Sequence, residues 1–69
     1  MPTMQLTING EMRELPDGLK AAELIAQLGL QHTRLAVEVN LEIVPRGELP
    51  RYVLQPGDRV EIVQAIGGG

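Results

Sequence analysis

Residues 57–69 read Gly57-Asp58-Arg59-Val60-Glu61-Ile62-Val63-Gln64-Ala65-Ile66-Gly67-Gly68-Gly69, and this stretch governs how the rest of the chain is arranged. In an extended segment Val60 and Ile62 point to one side while Val63 and Ala65 point to the other. A strand that is apolar on both faces lies centrally in a sheet or offers its outer face to a partner. A last strand is expected over residues 59–65, with both of these readings open. Just ahead of it, Gln55-Pro56-Gly57-Asp58 matches a type II turn, with proline second and glycine third. Beyond it stand Ile66 and the glycines of positions 67–69.

Working outward, Met4-Gln5-Leu6-Thr7-Ile8 alternates apolar with polar, the period of a half-buried strand. Asn9-Gly10 follows and is a hairpin signal, because both residues tolerate positive φ. A two-residue turn would put Met4 and Leu15 on one face and leave Met12 outward. A three-residue loop would instead pair Met12 with Ile8; the first register is preferred. Pro16-Asp17-Gly18 supplies turn chemistry after the second strand. Ala21, Leu24, Ile25 and Leu28 then recur at the spacing of one helical stripe. Asp17 is the nearest good N-cap, though slightly early, and Gly29 fits the left-handed position that ends a helix, with Leu30 folding back on the last turn.

Leu35, Val37 and Val39 alternate with Ala36, Glu38 and Asn40, giving a third strand. Asn40-Leu41 reads as a turn and Glu42-Ile43-Val44 as a short return stopped by Pro45. Residues 46–55 are irregular, interrupted by Gly47 and Pro50, with a brief edge strand expected at Tyr52-Val53-Leu54. The order is strand, strand, helix, strand, irregular stretch, strand. A helix and a sheet must bury their apolar faces against each other. The predicted class is α+β: a β-grasp, ubiquitin-like arrangement of one mixed sheet of four to five strands with one helix across it. Residues 1–66 are expected to form that domain and residues 67–69 a flexible glycine tail.

Composition narrows the function. With 69 residues, the chain is one small domain, burying only ~60% of the surface its unfolded form exposes. Hydrophobic residues make up 43% and charged residues 22%, in the range of a folded globular domain. Tyr52 is the sole aromatic residue, so Leu, Ile, Val, Met and Ala must build the core. Cysteine is absent, which removes disulfides, thiolate nucleophiles and cysteine metal sites. The formal net charge of −3 and the scattered positions of the Lys and Arg residues argue against nucleic-acid binding. No signal-peptide pattern and no run approaching the ~20 apolar residues of a membrane span occurs, so a cytoplasmic protein with no membrane association is expected, monomeric on its own.

Few side chains offer chemistry. His32 stands alone, and a metal site needs several converging donors; no metal is expected. Glu42, Glu48, Asp58 and Glu61 face no obvious base and are expected to be solvated charges. Gly67-Gly68-Gly69 is not a phosphate loop, since no helix follows it. The terminal carboxylate remains. Glycines there have no Cβ, so the tail can enter a narrow channel and adopt backbone angles closed to other residues. A carboxylate is a poor electrophile until it is joined to AMP, when a sulfur nucleophile can attack it. The competing reading is an idle tail on a plain interaction module.

Three segments carry a resemblance: Leu6-Thr7-Ile8-Asn9-Gly10-Glu11, Val39-Asn40-Leu41-Glu42-Ile43-Val44-Pro45-Arg46, and residues 57–69. Together they resemble the ThiS-type, ubiquitin-like sulfur carriers of thiamine (thiazole) biosynthesis, over nearly the whole chain. The resemblance implies a carrier and co-substrate rather than an enzyme, with no catalytic residue and no cofactor of its own. An adenylating, E1-like enzyme would supply ATP and its metal, a persulfide would donate sulfur to Gly69, and the resulting thiocarboxylate would feed thiazole synthase. Gly68 and Gly67 complete the tail motif. Val63, Ala65 and Ile66 are expected to seat the partner, with Leu41 or Leu49 beside them. Leu41 stands where such carriers often have glycine or a polar residue, and Leu49 where several have tryptophan. The alternatives are a carrier for molybdopterin or tRNA thiolation, or a ubiquitin-like protein modifier. The approach Val63-Gln64-Ala65-Ile66 lacks the aromatic and proline residues that precede the glycines in molybdopterin subunits.

Overall fold

The computed structural model describes residues 2–64. Two strands, β1 (Thr3–Ile8) and β2 (Glu11–Pro16), lead into the helix α1 (Ala21–Gln27). Strands β3 (Leu35–Val39) and β4 (Glu42–Val44) follow, then a 3-10 helix η1 (Arg46–Arg51) and the last strand β5 (Arg59–Gln64). The five strands form one mixed sheet in the order β2-β1-β5-β3-β4. The strand apolar on both faces is thus the central one, parallel to β1 and antiparallel to β3. A mixed sheet in this order with a helix packed on one face is a β-grasp.

The first hairpin has the two-residue turn. Met4 pairs with Leu15 and Ile8 with Glu11, and Met12 points outward, 70% exposed. Asn9 and Gly10 have φ of 50° and 85°, which a type I′ turn requires at both central positions. The second hairpin repeats the geometry at Asn40 and Leu41, with φ of 53° and 72°, although leucine is a poor occupant of that region.

The helix begins later than Asp17. Lys20 is its N-cap, and the Lys20 N–H donates to Glu23 Oε1 at 2.8 Å, the acidic half of a capping box. The Ala21 N–H donates to the Tyr52 carbonyl at 2.8 Å, so the entry to the helix is satisfied by a distant segment rather than by an Asp cap. Its end follows the sequence closely. Gly29 sits at φ 75°, its N–H donates to Ala26 O, and the Leu30 N–H donates to Ile25 O, both at 3.0 Å. That pair of bonds is a Schellman motif, and Leu30 packs against the core.

Met4, Leu6 and Ile8 of β1, Val37 and Val39 of β3, and Val60 and Ile62 of β5 meet Ala21, Leu24 and Ile25 of α1 in one buried cluster. Each fully buried Leu, Val or Ile contributes about 1.5–3 kcal/mol. The expected edge strand at Tyr52-Val53-Leu54 does not join the sheet. Val53 makes an isolated bridge to Lys20, and the Leu54 N–H donates to the Leu19 carbonyl at 2.9 Å. The segment instead pairs with the lead into α1, which carries Leu54 into the core at 1% exposure. Among the described residues no helix is long and apolar enough to cross a membrane.

Candidate functional site

Strand β5 carries the chain toward the candidate site, and three polar side chains fix it in place. Asn9, at the β1–β2 turn, reaches across to β5: its Nδ2 donates to the Ile62 carbonyl at 3.3 Å and its Oδ1 accepts from the Ile62 N–H at 2.8 Å. The side-chain amide thereby continues the parallel β1–β5 pairing after the β1 backbone has turned away. At the start of β5, Asp58 accepts from Asn40 Nδ2 at 3.0 Å and from the Gln55 N–H at 2.8 Å. Asn40 Oδ1 in turn accepts from the Arg59 N–H at 3.0 Å.

Asp58 is therefore not the solvated charge expected from the sequence. It is 8% exposed, because the proline-glycine turn folds its carboxylate back onto the Gln55 N–H and against the second hairpin. Sequence reasoning treated Asn9 and Asn40 as turn residues only. The available signal was that asparagine, alone among good turn formers, carries a donor and an acceptor able to mimic a peptide group.

The residues expected to seat a partner divide. Val63 lies on the sheet face opposite the helix, 64% exposed and directly across from Ala36. Leu41 is 75% exposed at the tip of the second hairpin. It is not beside Val63, because Val39 pairs with Val60 and Ala36 with Val63, which places Leu41 toward the other end of β5. Leu49 is 7% exposed and belongs to the core on the helix side, since η1 packs on α1; it does not join the patch. Ala65, Ile66, Gly67, Gly68 and Gly69 lie outside the described residues.

His32 is exposed in a turn. Among the described residues no group of three or more His, Asp or Glu side chains gathers to hold a metal. A hollow of about 240 Å³ between α1 and η1 is lined by Ile25, Leu30, Leu35 and Leu49, with Arg46 at its rim, and it brings no acid to a base. Among the described residues, the side chains singled out here hold β5 in place.

The ThiS family model matches residues 6–69. The chain belongs to the ThiS family. This ThiS-family chain is 32% identical over 66 residues to the sulfur carrier protein ThiS of Escherichia coli, covering 96% of the present chain and all of that protein. It is 42% identical over 66 residues to a thiazole synthase of Paramagnetospirillum magneticum, covering 96% of this chain but only 20% of that protein. The chain thus spans about one fifth of the thiazole synthases it matches. The crystal structure of the thiamine biosynthesis protein (ThiS) from Geobacter metallireducens superposes with a TM-score of 0.81 at 30% identity, covering 96% of this chain and all of that one.

Proposed function

We propose that this ThiS-family chain is a sulfur carrier of thiamine biosynthesis, acting as a co-substrate and not as an enzyme. The observation that carries the reading is the full-length match to a sulfur carrier, joined to a glycine tail that follows the central strand. The Gly69 carboxylate attacks the α-phosphorus of ATP held by an adenylating enzyme, and pyrophosphate leaves. A persulfide sulfur then attacks the acyl carbon and AMP departs. Cleavage of the resulting acyl disulfide by a thiol leaves a thiocarboxylate on Gly69. That group passes its sulfur to thiazole synthase.

The roles of this chain's own residues are to reach and to dock. Gly67 and Gly68 carry no side chain to block entry to a narrow active site, and Asn9, Asn40 and Asp58 hold β5 at a fixed angle behind them. Val63, Ala65 and Ile66 seat the activating enzyme. ATP and its metal belong to that enzyme, and the reactions take place in the cytoplasm.

The test is the intact mass of the chain after incubation with ATP, its adenylating enzyme and a persulfide source. A gain equal to replacement of one oxygen by sulfur, lost when Gly69 is deleted, is the expected result. An unchanged mass, with an enzyme shown active on another carrier, would leave the tail idle and the reading wrong. A ladder of heavier conjugates in cell extracts would instead mark a protein modifier.

A further inference from the structure

The outer face of the sheet, opposite α1, carries two like charges in register. Glu38 of β3 and Glu61 of β5 are paired directly across the two strands, and both project from the outer face because their neighbours Val37, Val39, Val60 and Ile62 are all buried on the other. Directly opposed side chains stand about 4.5–5.5 Å apart at Cβ, and like charges there are destabilising. Neither carboxylate has a cation: among the described residues the ion pair found is Arg13 with Glu11. Arg59 lies two residues along β5 on the same face and does not close on either.

Toward β4 and toward the end of β5 the neighbouring surface is apolar. Ile43, 70% exposed, is the cross-strand neighbour of Glu38 on β4. Val63, 64% exposed, and Ala36 form the next row. Exposed aliphatic side chains grouped on one face mark an interaction surface. Two carboxylates on an open sheet are fewer protein ligands than calcium takes, which is about six to eight oxygens. They do suit a guanidinium, whose planar fork of five donors can bridge two acceptors at once.

We infer that this face docks an arginine of the activating enzyme, which enters between Glu38 and Glu61 while apolar side chains around it cover Val63 and Ile43. The inference rests on the carrier reading and adds to it the chemistry of the partner's surface. Binding relieves the repulsion that the free chain tolerates, and the apolar rim excludes the water that would otherwise screen the ion pair. Charge complementarity of this kind sets partner choice as well as affinity.

The experiment measures adenylation of the full chain by the adenylating enzyme of the same organism, following pyrophosphate release at varied chain and salt concentration. Glu38→Gln/Glu61→Gln is compared with wild type, as is Glu61→Lys, which creates an internal pair with Glu38. Both variants are expected to melt at higher temperature than wild type and yet to show KM raised by about tenfold or more. The wild-type KM is expected to rise with salt and that of the Gln variant to rise less. A structural role would not make a more stable chain a poorer substrate. An unchanged KM in both variants overturns the inference while leaving the carrier reading intact. A rise confined to later transfer of sulfur to thiazole synthase overturns the assignment to the activating enzyme. Failure of the wild-type chain to be adenylated at all overturns the carrier reading and this inference with it.

Discussion

Asn9 grips the peptide of Ile62, a residue 53 positions away, from both sides: its amide donates to the Ile62 carbonyl and its oxygen accepts from the Ile62 N–H. One side chain in a tight turn thereby fastens the first strand of the fold to the last.

Replacing Asn9 by Ala removes both bonds and strains the turn, since alanine does not readily hold φ at 50°. A loss of about 3 kcal/mol is expected, about 1 kcal/mol for each net hydrogen bond and about 1 kcal/mol of left-handed strain. Asn9→Gly keeps the turn and loses only the bonds, so it should fall between Ala and wild type. Urea unfolding measures both, and equal stability of all three chains would show that the grip contributes nothing.

Asp58 and Asn40 form a second fastening, at the entrance to β5. Asp58→Ala leaves the Gln55 N–H without its acceptor and is expected to lower stability by about 2 kcal/mol. Because Asn40 shares the network, the double variant with Asn40→Ala should be less damaged than the sum of the single ones, by at least about 0.5 kcal/mol. Strict additivity in a double-mutant cycle would mean that the two side chains act separately.

Leu41 holds φ at 72° with its side chain 75% exposed, so the fold bears the strain without burying the residue. Leu41→Gly is expected to raise stability by about 0.5–1 kcal/mol, the relief of left-handed strain exceeding the added freedom of the unfolded glycine. A lower melting temperature for the glycine variant would show that Leu41 packs usefully against its hairpin neighbours.

Most of the architecture was legible because it is local. The alternation in Met4–Ile8, the Asn9-Gly10 turn, the stripe through Ala21, Leu24 and Ile25, and the stop at Gly29 are each decided by neighbours within a few residues. Val63 and Val60 pointing opposite ways left open whether β5 was central or offered an outer face, and the structure shows both: β5 is the middle strand and Val63 is exposed. The features that were missed depend on distant partners. Leu49 and Leu54 lie in a stretch broken by Gly47 and Pro50, where no period survives to tell an inward side chain from an outward one. Their burial is set by η1 packing on α1 and by the Leu19–Leu54 bond. The charge on Asp58 gave no sign that an asparagine 18 positions earlier would meet it. For the site, Val63 is exposed as expected, Leu41 is exposed but far along β5 from it, Leu49 proved to be core, and Ala65 and Ile66 lie outside the described residues.

Leu54 provides a direct test of that hidden part of the core. Leu54→Ala is expected to cost about 2–5 kcal/mol. A domain of this size has a total stability of roughly 0.05–0.15 kcal/mol per residue, so the variant should lose a large share of it and melt well below wild type. A loss below about 1 kcal/mol, read from thermal or urea unfolding, would contradict the burial of Leu54.

Val63 and Ile62 are adjacent on β5 but face opposite ways, so one substitution made at both positions separates docking from folding. Ile62 is 7% exposed, and Ile62→Asp puts an unpaired charge into the core, which should prevent folding. Val63→Asp places the same group on the open face, where the expected loss is about 1 kcal/mol or less, arising from strand propensity. If the outer face seats the activating enzyme, folded Val63→Asp should be adenylated with kcat/KM lowered by about tenfold or more, because an apolar contact beside the Glu38–Glu61 pair is replaced by a charge that must be desolvated. Circular dichroism establishes the fold and pyrophosphate release measures the activation. A folded Val63→Asp chain that is activated as well as wild type would show that the partner does not approach from this face.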